Sequence, residues 1–210
     1  MFISTEEGRT FLYEVMRWRR DVRRFRTDAI PEADVNELVA AACLAPSVGY
    51  SQPWRFVRVR SPERRCAVID HVDNCNERAA EVYAGQRGLA YRALKLHGLR
   101  EAPEHFAVFC DEKTEVGWKL GCQTMPEMLR YSCVTAIHNL WLTARAKGIG
   151  VGWVSILEPS TVMSLLDVPE DWTLIAYLCI GLPDEEGEVP TLEREGWEAR
   201  LKMDTLYHER

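Results

Sequence analysis

Leu129-Arg130-Tyr131-Ser132-Cys133-Val134-Thr135-Ala136-Ile137-His138-Asn139-Leu140-Trp141-Leu142-Thr143-Ala144 carries the strongest helical signal in this 210-residue chain. Leu129, Cys133, Ala136, Ile137, Leu140, Trp141 and Ala144 recur with the 3.6-residue period of an amphipathic helix. The spacing predicts a helix from Pro126 to Lys147, with Gly148 as its C-terminal cap. His138 falls inside it and reads as a hydrogen-bonded core residue. Apolar runs on both sides have strand length: Phe106 to Cys110 before it, and Gly152 to Leu157 and Thr173 to Ile180 after it. A long apolar helix between strands predicts an α+β architecture, with a central, mostly antiparallel sheet flanked by helices. Such a helix serves equally as the core of one subunit or as the seam of an obligate dimer.

The N-terminal third is helical. Ser4 with Glu7 fits a capping box, and Phe11, Leu12, Val15 and Met16 continue that helix. Pro31 suits the first position of a second helix, whose apolar face is Val35, Leu38, Val39 and Ala42 and which Pro46 stops. Phe56 to Arg60 reads as a strand, Arg64 to about Ala84 as a helix, and Pro159 opens a short helix. Residues 85–103 show no clean period and are expected to form a lid with helical pieces. Trp197 to Tyr207 reads as a last helical piece. There is no internal repeat and no low-complexity linker, so residues 1–210 are expected to be a single domain.

Hydrophobic residues make up 47% of the chain and charged residues 28%, an ordinary globular balance. No apolar run approaches the roughly 20 residues of a membrane helix. The first residues lack a basic region followed by an apolar one, so no secretory signal is expected. The seven cysteines are odd in number, lack a C-x-x-C pair and lie in apolar neighbourhoods. They read as reduced, mostly buried thiols of a cytoplasmic protein. The five histidines are not spaced as metal ligands, and no metal is expected.

A net charge of −6 argues against broad nucleic-acid binding. Against that background Arg17-Trp18-Arg19-Arg20-Asp21-Val22-Arg23-Arg24-Phe25-Arg26 holds six arginines and one carboxylate in ten residues. Guanidinium forks match phosphate oxygens, yet a solvated face or a nucleic-acid patch would read the same way, although no aromatic-interleaved surface accompanies the block. Ala45-Pro46-Ser47-Val48-Gly49-Tyr50-Ser51-Gln52-Pro53-Trp54 follows. Gln52 both donates and accepts, as a heterocycle edge requires. Gly148, Gly150 and Gly152 follow a helix and precede a strand, the reverse of a dinucleotide fingerprint. They fit either a cap and tight turn or close backbone approach to a flat ligand. Neither a Gly-x-Ser-x-Gly elbow nor a Walker loop occurs.

Arg19-Arg20-x-x-Arg23-x-Phe25, then Ala45-Pro46-Ser47 with Gln52-Pro53-Trp54, then Gly148-x-Gly150-x-Gly152-Trp153 resembles the nitroreductase flavoprotein superfamily in order and spacing. The resemblance implies an intertwined homodimer with FMN at its interface. It assigns the arginine motif (Arg19, Arg20, Asp21, Val22, Arg23) to the phosphate and ribityl end, and Pro46, Ser47, Gly49 and Gln52 to the ribityl chain and ring. Gly148, Gly150, Gly152 and Trp153 complete the expected flavin contacts.

Tyr50 in the Pro-Ser loop, Gly152-Trp153-Val154-Ser155-Ile156, Leu94-Lys95-Leu96 with Glu101-Ala102-Pro103, and Thr124-Met125-Pro126-Glu127-Met128 are similar to a flavin-consuming branch of that superfamily. Membership there implies that reduced FMN and O2 are substrates, giving 5,6-dimethylbenzimidazole, the lower ligand of vitamin B12, and erythrose 4-phosphate. It implies Asp21 and Ser155 as catalytic groups. Asp21 is expected to be held ionised by the surrounding arginines and to act as a base toward the ribityl chain. A lid over the ring would exclude NAD(P)H, so a separate flavin reductase would supply reduced FMN. An NAD(P)H-dependent nitroreductase that keeps its FMN, and a non-catalytic flavin-binding protein, are the alternatives.

Overall fold

A computed structural model describes residues 4–210. Four strands form one sheet in the order β1-β2-β4-β3: β1 (Trp54–Arg58), β2 (Glu104–Asp111), β3 (Gly150–Val154) and β4 (Trp172–Gly181). Every neighbouring pair is antiparallel. The helices are α1 (Glu6–Trp18), α2 (Glu32–Ala42), α3 (Pro62–Glu81), α4 (Gly85–Ala93), α5 (Met128–Ala146), α6 (Pro159–Leu166) and α7 (Thr191–Arg194).

The sheet is buried on both faces, and its alternation divides the core in two. Phe106, Val108 and Cys110 of β2 join Ala176, Leu178 and Ile180 of β4 beneath α2 and α5. Ala107 and Phe109 join Tyr177 and Cys179 beneath α3 and α6. A register shift at Val108/Phe109 puts Leu174 on the second face together with Tyr177. The α5 positions Cys133, Ala136, Ile137, Leu140 and Ala144 are fully buried, as their period requires. Gly148 has φ +71 with open space around its missing Cβ, and so serves as the cap after α5.

Several expectations are corrected. The N-cap of α1 is Thr5, whose hydroxyl accepts from the Gly8 N–H at 3.1 Å, rather than Ser4. Pro31 is the residue before α2, not its first turn. His138 is exposed on α5; the buried histidine is His105, 1% exposed, with Nδ1 3.1 Å from the Tyr177 hydroxyl. Four cysteines are buried, Cys122 is half-buried, and Cys43 and Cys66 are exposed. The tail is not one helix: α7 precedes Trp197, and a single 3-10 turn spans Met203–Thr205. The 85–103 segment begins with α4, but Leu99 and Ala102 are buried in the core, and a Cβ on Gly98 would stand 2.5 Å from the Phe25 ring. The second half is therefore part of the core, and in the first half Gly88 and Tyr91 are buried too.

Candidate functional site

The arginine block leaves α1, touches β3 through one parallel bridge at Val151, and then pairs with the segment just past the end of β4. The Val22 N–H donates to the Val151 carbonyl at 3.0 Å and the Arg26 N–H to the Leu182 carbonyl at 2.9 Å. Bridges at Asp21/Val151 and Phe25/Pro183 fix the register. Phe25 is 5% exposed and anchors the segment in the core. Glycine is required on β3 by this contact. A Cβ on Gly150 would stand 2.8 Å from Val22 Cγ2, and one on Gly152 would collide with the Val22 carbonyl. The space above Gly150 and Gly152 is filled by Val22, so these two glycines admit the arginine block, a third role beside the cap and the ligand approach that the sequence left open.

The contact locks Asp21. Its Oδ1 accepts from the Trp153 N–H at 2.9 Å, and its Oδ2 is paired with Arg23, whose Nη1 also donates to the Trp153 carbonyl at 3.1 Å. The Asp21 side chain still keeps 39% of its surface, open toward a cleft. Crowding by protein raises its pKa above the ordinary carboxylate range; the Arg23 charge, the Trp153 N–H and Arg19 pull it down more weakly. Desolvation thus outweighs the arginines, the reverse of what the sequence suggests, and leaves a more basic carboxylate.

Arg23 is consumed by this network. Arg17, Arg24, Arg26 and Arg145 pair with Glu188, Glu185, Asp28 and Glu186. Arg19 and Arg20 have no carboxylate partner among the described residues. The Arg19 guanidinium stacks 4.8 Å over the Trp141 ring, while the Trp141 indole N–H donates to the Arg20 carbonyl at 3.1 Å. Arg20 Nε is buried and unpartnered. Arg200, from the tail, lines the same cleft of about 190 Å³ as Arg19, Arg20 and Asp21. Burial and the charge of Arg200 both lower the pKa values of Arg19 and Arg20. Asp21 and Glu188 oppose this shift only weakly and from beyond ion-pair contact, and three cations with no carboxylate in contact make a site for a polyanion. Arg200 escaped the sequence reading because it is a lone arginine in a charged tail; only folding brings it to the block. The other walls are Leu94 to Leu96 and Pro190 to Leu192.

The Pro46–Trp54 loop lies elsewhere. The Val48 N–H donates to Ser132 Oγ at 3.0 Å, and Thr135 Oγ1 donates to the Pro46 carbonyl at 3.1 Å, fastening the loop to the start of α5. The Gln52 N–H donates to Ser47 Oγ at 3.1 Å and its side-chain amide to the Tyr50 carbonyl at 3.3 Å. Gly49, Tyr50 and Gln52 all have positive φ, +56, +57 and +46. For tyrosine and glutamine this conformation is uncommon and is held by the surrounding bonds. Ser132 and Trp141 are nine positions apart, roughly 14 Å along α5. The loop therefore contributes nothing to the cleft above the arginines. Its Tyr50 is 76% exposed, and Trp118 on the adjoining loop is 92% exposed. Ser155 is exposed just past β3, outside the strand in which the sequence put it, and it does not line the cleft above the arginines.

Comparison with known proteins gives consistent matches. The model of the family described as "Nitroreductase family" matches residues 16–182. The chain is 57% identical over 197 residues to a 5,6-dimethylbenzimidazole synthase of Rhodospirillum rubrum, covering 94% of this chain and 92% of that protein. It is 46% identical over 193 residues to a protein of that name from Rhodobacter capsulatus, covering 92% and 93%. Among solved structures, iodotyrosine deiodinase bound to FMN and 3-iodo-L-tyrosine superposes with a TM-score of 0.71 at 25% identity, over 84% of this chain and 91% of that one. The NADPH:FMN oxidoreductase of Vibrio harveyi superposes with a TM-score of 0.68 at 20% identity, over 95% and 76%, a likeness of fold. No helix among the described residues is long and apolar enough to cross a membrane.

Proposed function

The chain belongs to the nitroreductase family, and from that premise we propose that it uses O2 to fragment reduced FMN, giving 5,6-dimethylbenzimidazole, the product for which its relatives are named, and erythrose 4-phosphate. The observation that carries this reading is the place of Asp21, which opens on the cleft that holds three arginines without carboxylate partners. A nitroreductase that only holds its flavin needs the cations; the locked, proton-accepting carboxylate beside them suits an enzyme that cuts the flavin.

The residues fit FMN. The donors of Arg19, Arg20 and Arg200, including the orphaned Arg20 Nε, match a phosphate monoester. Val22 and Arg23 form the adjoining wall, where Arg23 orients Asp21 and leaves the phosphate to Arg200. When bound, reduced FMN supplies the electrons that O2 accepts and the atoms that become the benzimidazole. Each Asp21 oxygen accepts one bond from the protein and has lone-pair capacity for a second. Asp21 takes a proton from the ribityl chain at that free position, while the Trp153 N–H and Arg23 keep the carboxylate fixed. Ser155 would act only if the flavin reached past the end of β3.

Pro46, Ser47, Gly49 and Gln52 lie at the far end of α5 from the arginines, so we assign them to the flavin bound by a second copy. A homodimer would then complete two equal sites and cover Tyr50 and Trp118. Of the expected lid, Leu94 to Leu96 wall the cleft, while α4 before them is fixed to α3 through Tyr91. Reduced FMN arrives from a separate flavin reductase, and the reaction belongs in the cytoplasm, where free thiols persist.

Purified protein given reduced FMN in air should yield 5,6-dimethylbenzimidazole, read by mass. Oxidised FMN and peroxide alone would refute the proposal. NADPH oxidation with a nitroaromatic acceptor would favour the flavin-retaining alternative, and tight FMN binding with no turnover in either assay the non-catalytic one.

A further inference from the structure

We infer that Trp197 is a positioning residue for the phosphate end of the site: it fastens the tail that carries Arg200 to helix α4 and thereby holds the cleft walls together. The inference rests on the assignment of that cleft to the flavin phosphate.

Trp197 is the last residue of the chain that is not exposed; every position from 198 to 210 is. Its backbone N–H returns to the Leu192 carbonyl at 2.8 Å, closing the turn after α7. The side chain does the rest. Its ring meets Tyr83 edge-on at 5.4 Å and Tyr91 at 6.1 Å, and the Arg87 guanidinium lies 4.0 Å over it. Tyr83 and Tyr91 are themselves stacked at 4.8 Å. The Tyr91 hydroxyl donates to Asn76 Oδ1 on α3 at 2.8 Å, which fixes the cluster to the rigid part of the fold. Edge-to-face rings and a cation over an indole face are oriented contacts, so they set position as well as bury area.

Two ends of the cleft depend on this cluster. Leu94 to Leu96 follow directly from α4, and Arg200 follows Trp197 by three residues. Arg200 has no hydrogen bond or ion pair of its own among the described contacts, and it is repelled by Arg19 and Arg20. Something other than its own charge must keep it beside them until the anion arrives. Trp197, three residues before it, makes the oriented contacts that can do so.

The test is a titration of the purified protein with oxidised FMN and with riboflavin, which lacks the phosphate. The wild type is expected to prefer FMN. Trp197→Ala and Arg200→Ala should each weaken FMN binding by about tenfold, a cost of about 1.4 kcal/mol, and leave riboflavin unchanged. The double variant should be no worse than either single, because the two act through one contact. Trp197→Phe should recover most of the loss. Equal weakening of FMN and riboflavin by Trp197→Ala would reduce Trp197 to a general structural role, and unchanged FMN binding or additive losses would overturn the inference alone. A wild type indifferent to the phosphate would overturn the site assignment and this inference with it. Should Trp197→Ala not fold, Arg87→Gln removes the stacked cation, keeps every ring and is expected to give the same selective loss at smaller size.

Discussion

The Trp153 N–H donates to Asp21 Oδ1 at 2.9 Å across 132 positions of sequence, so β3 itself aims the carboxylate. Asp21→Asn keeps the size of the side chain and its acceptor oxygen while removing the base. Flavin affinity is expected to stay within about threefold, while benzimidazole formation falls by about 10²–10⁴-fold, the range usual for a positioned acid or base. Product by mass and flavin binding by fluorescence would be measured on the same sample; undiminished product would remove Asp21 from the chemistry.

The proton affinity of Asp21 gives a pH signature. Its folded pKa is raised, chiefly by burial, and Arg23 opposes that rise. The active form is ionised, so the rate should climb with pH through a limb above the ordinary carboxylate value of about 3.9. Arg23→Gln removes a lowering influence and should move the limb to higher pH. A rate profile at saturating reduced FMN checks this, and a limb displaced downward would contradict it.

A site assembled from two copies predicts complementation. Chains carrying Arg19→Ala are defective at the phosphate, and chains carrying Gln52→Ala at the loop. Random exchange between the two makes half the dimers mixed, with one intact site in each, so mixing should restore about a quarter of the wild-type activity. No recovery after confirmed subunit exchange would show that both residues serve one chain's flavin, or none.

His105 predicts an acid weakness that has nothing to do with the flavin. Burial and Arg65 depress its pKa to about 4. The folded value lies below the unfolded value of about 6.5, so between those limits the unfolded chain binds the extra proton. Stability should therefore fall as pH drops from about 6.5 to about 4, by up to about 3 kcal/mol. Urea unfolding at several pH values would read the slope, and His105→Gln should flatten it whatever its effect at pH 7.

The sequence exposed the fold through its periods. The 3.6-residue repeat of α5 and the compact Phe106–Cys110 run each have one physical solution, a buried helix on a two-faced sheet. The arginine block was visible as a charge anomaly, and Asp21 as its one carboxylate. What stayed hidden depends on long-range contact. Nothing local says that Gly150 and Gly152 make room for Val22, that Arg23 is spent on Asp21, or that Arg200 comes to line the cleft with Arg19 and Arg20. His138 shows the same limit from the other side: it lies within an apolar helix, but its angle on that helix faces out.

The bridge from the arginine block to β3 also changes the outer boundary of the sheet. In the order β1-β2-β4-β3, β3 is an end strand, and Asp21 and Val22 cover its free hydrogen-bonding side at Val151. An open strand of that kind is a template for pairing with other molecules. The segment that we propose binds the flavin phosphate thus also covers part of an open strand edge. Substitutions that loosen it would surface first as protein lost to precipitation, so the sequence of this block is constrained by solubility as well as by chemistry.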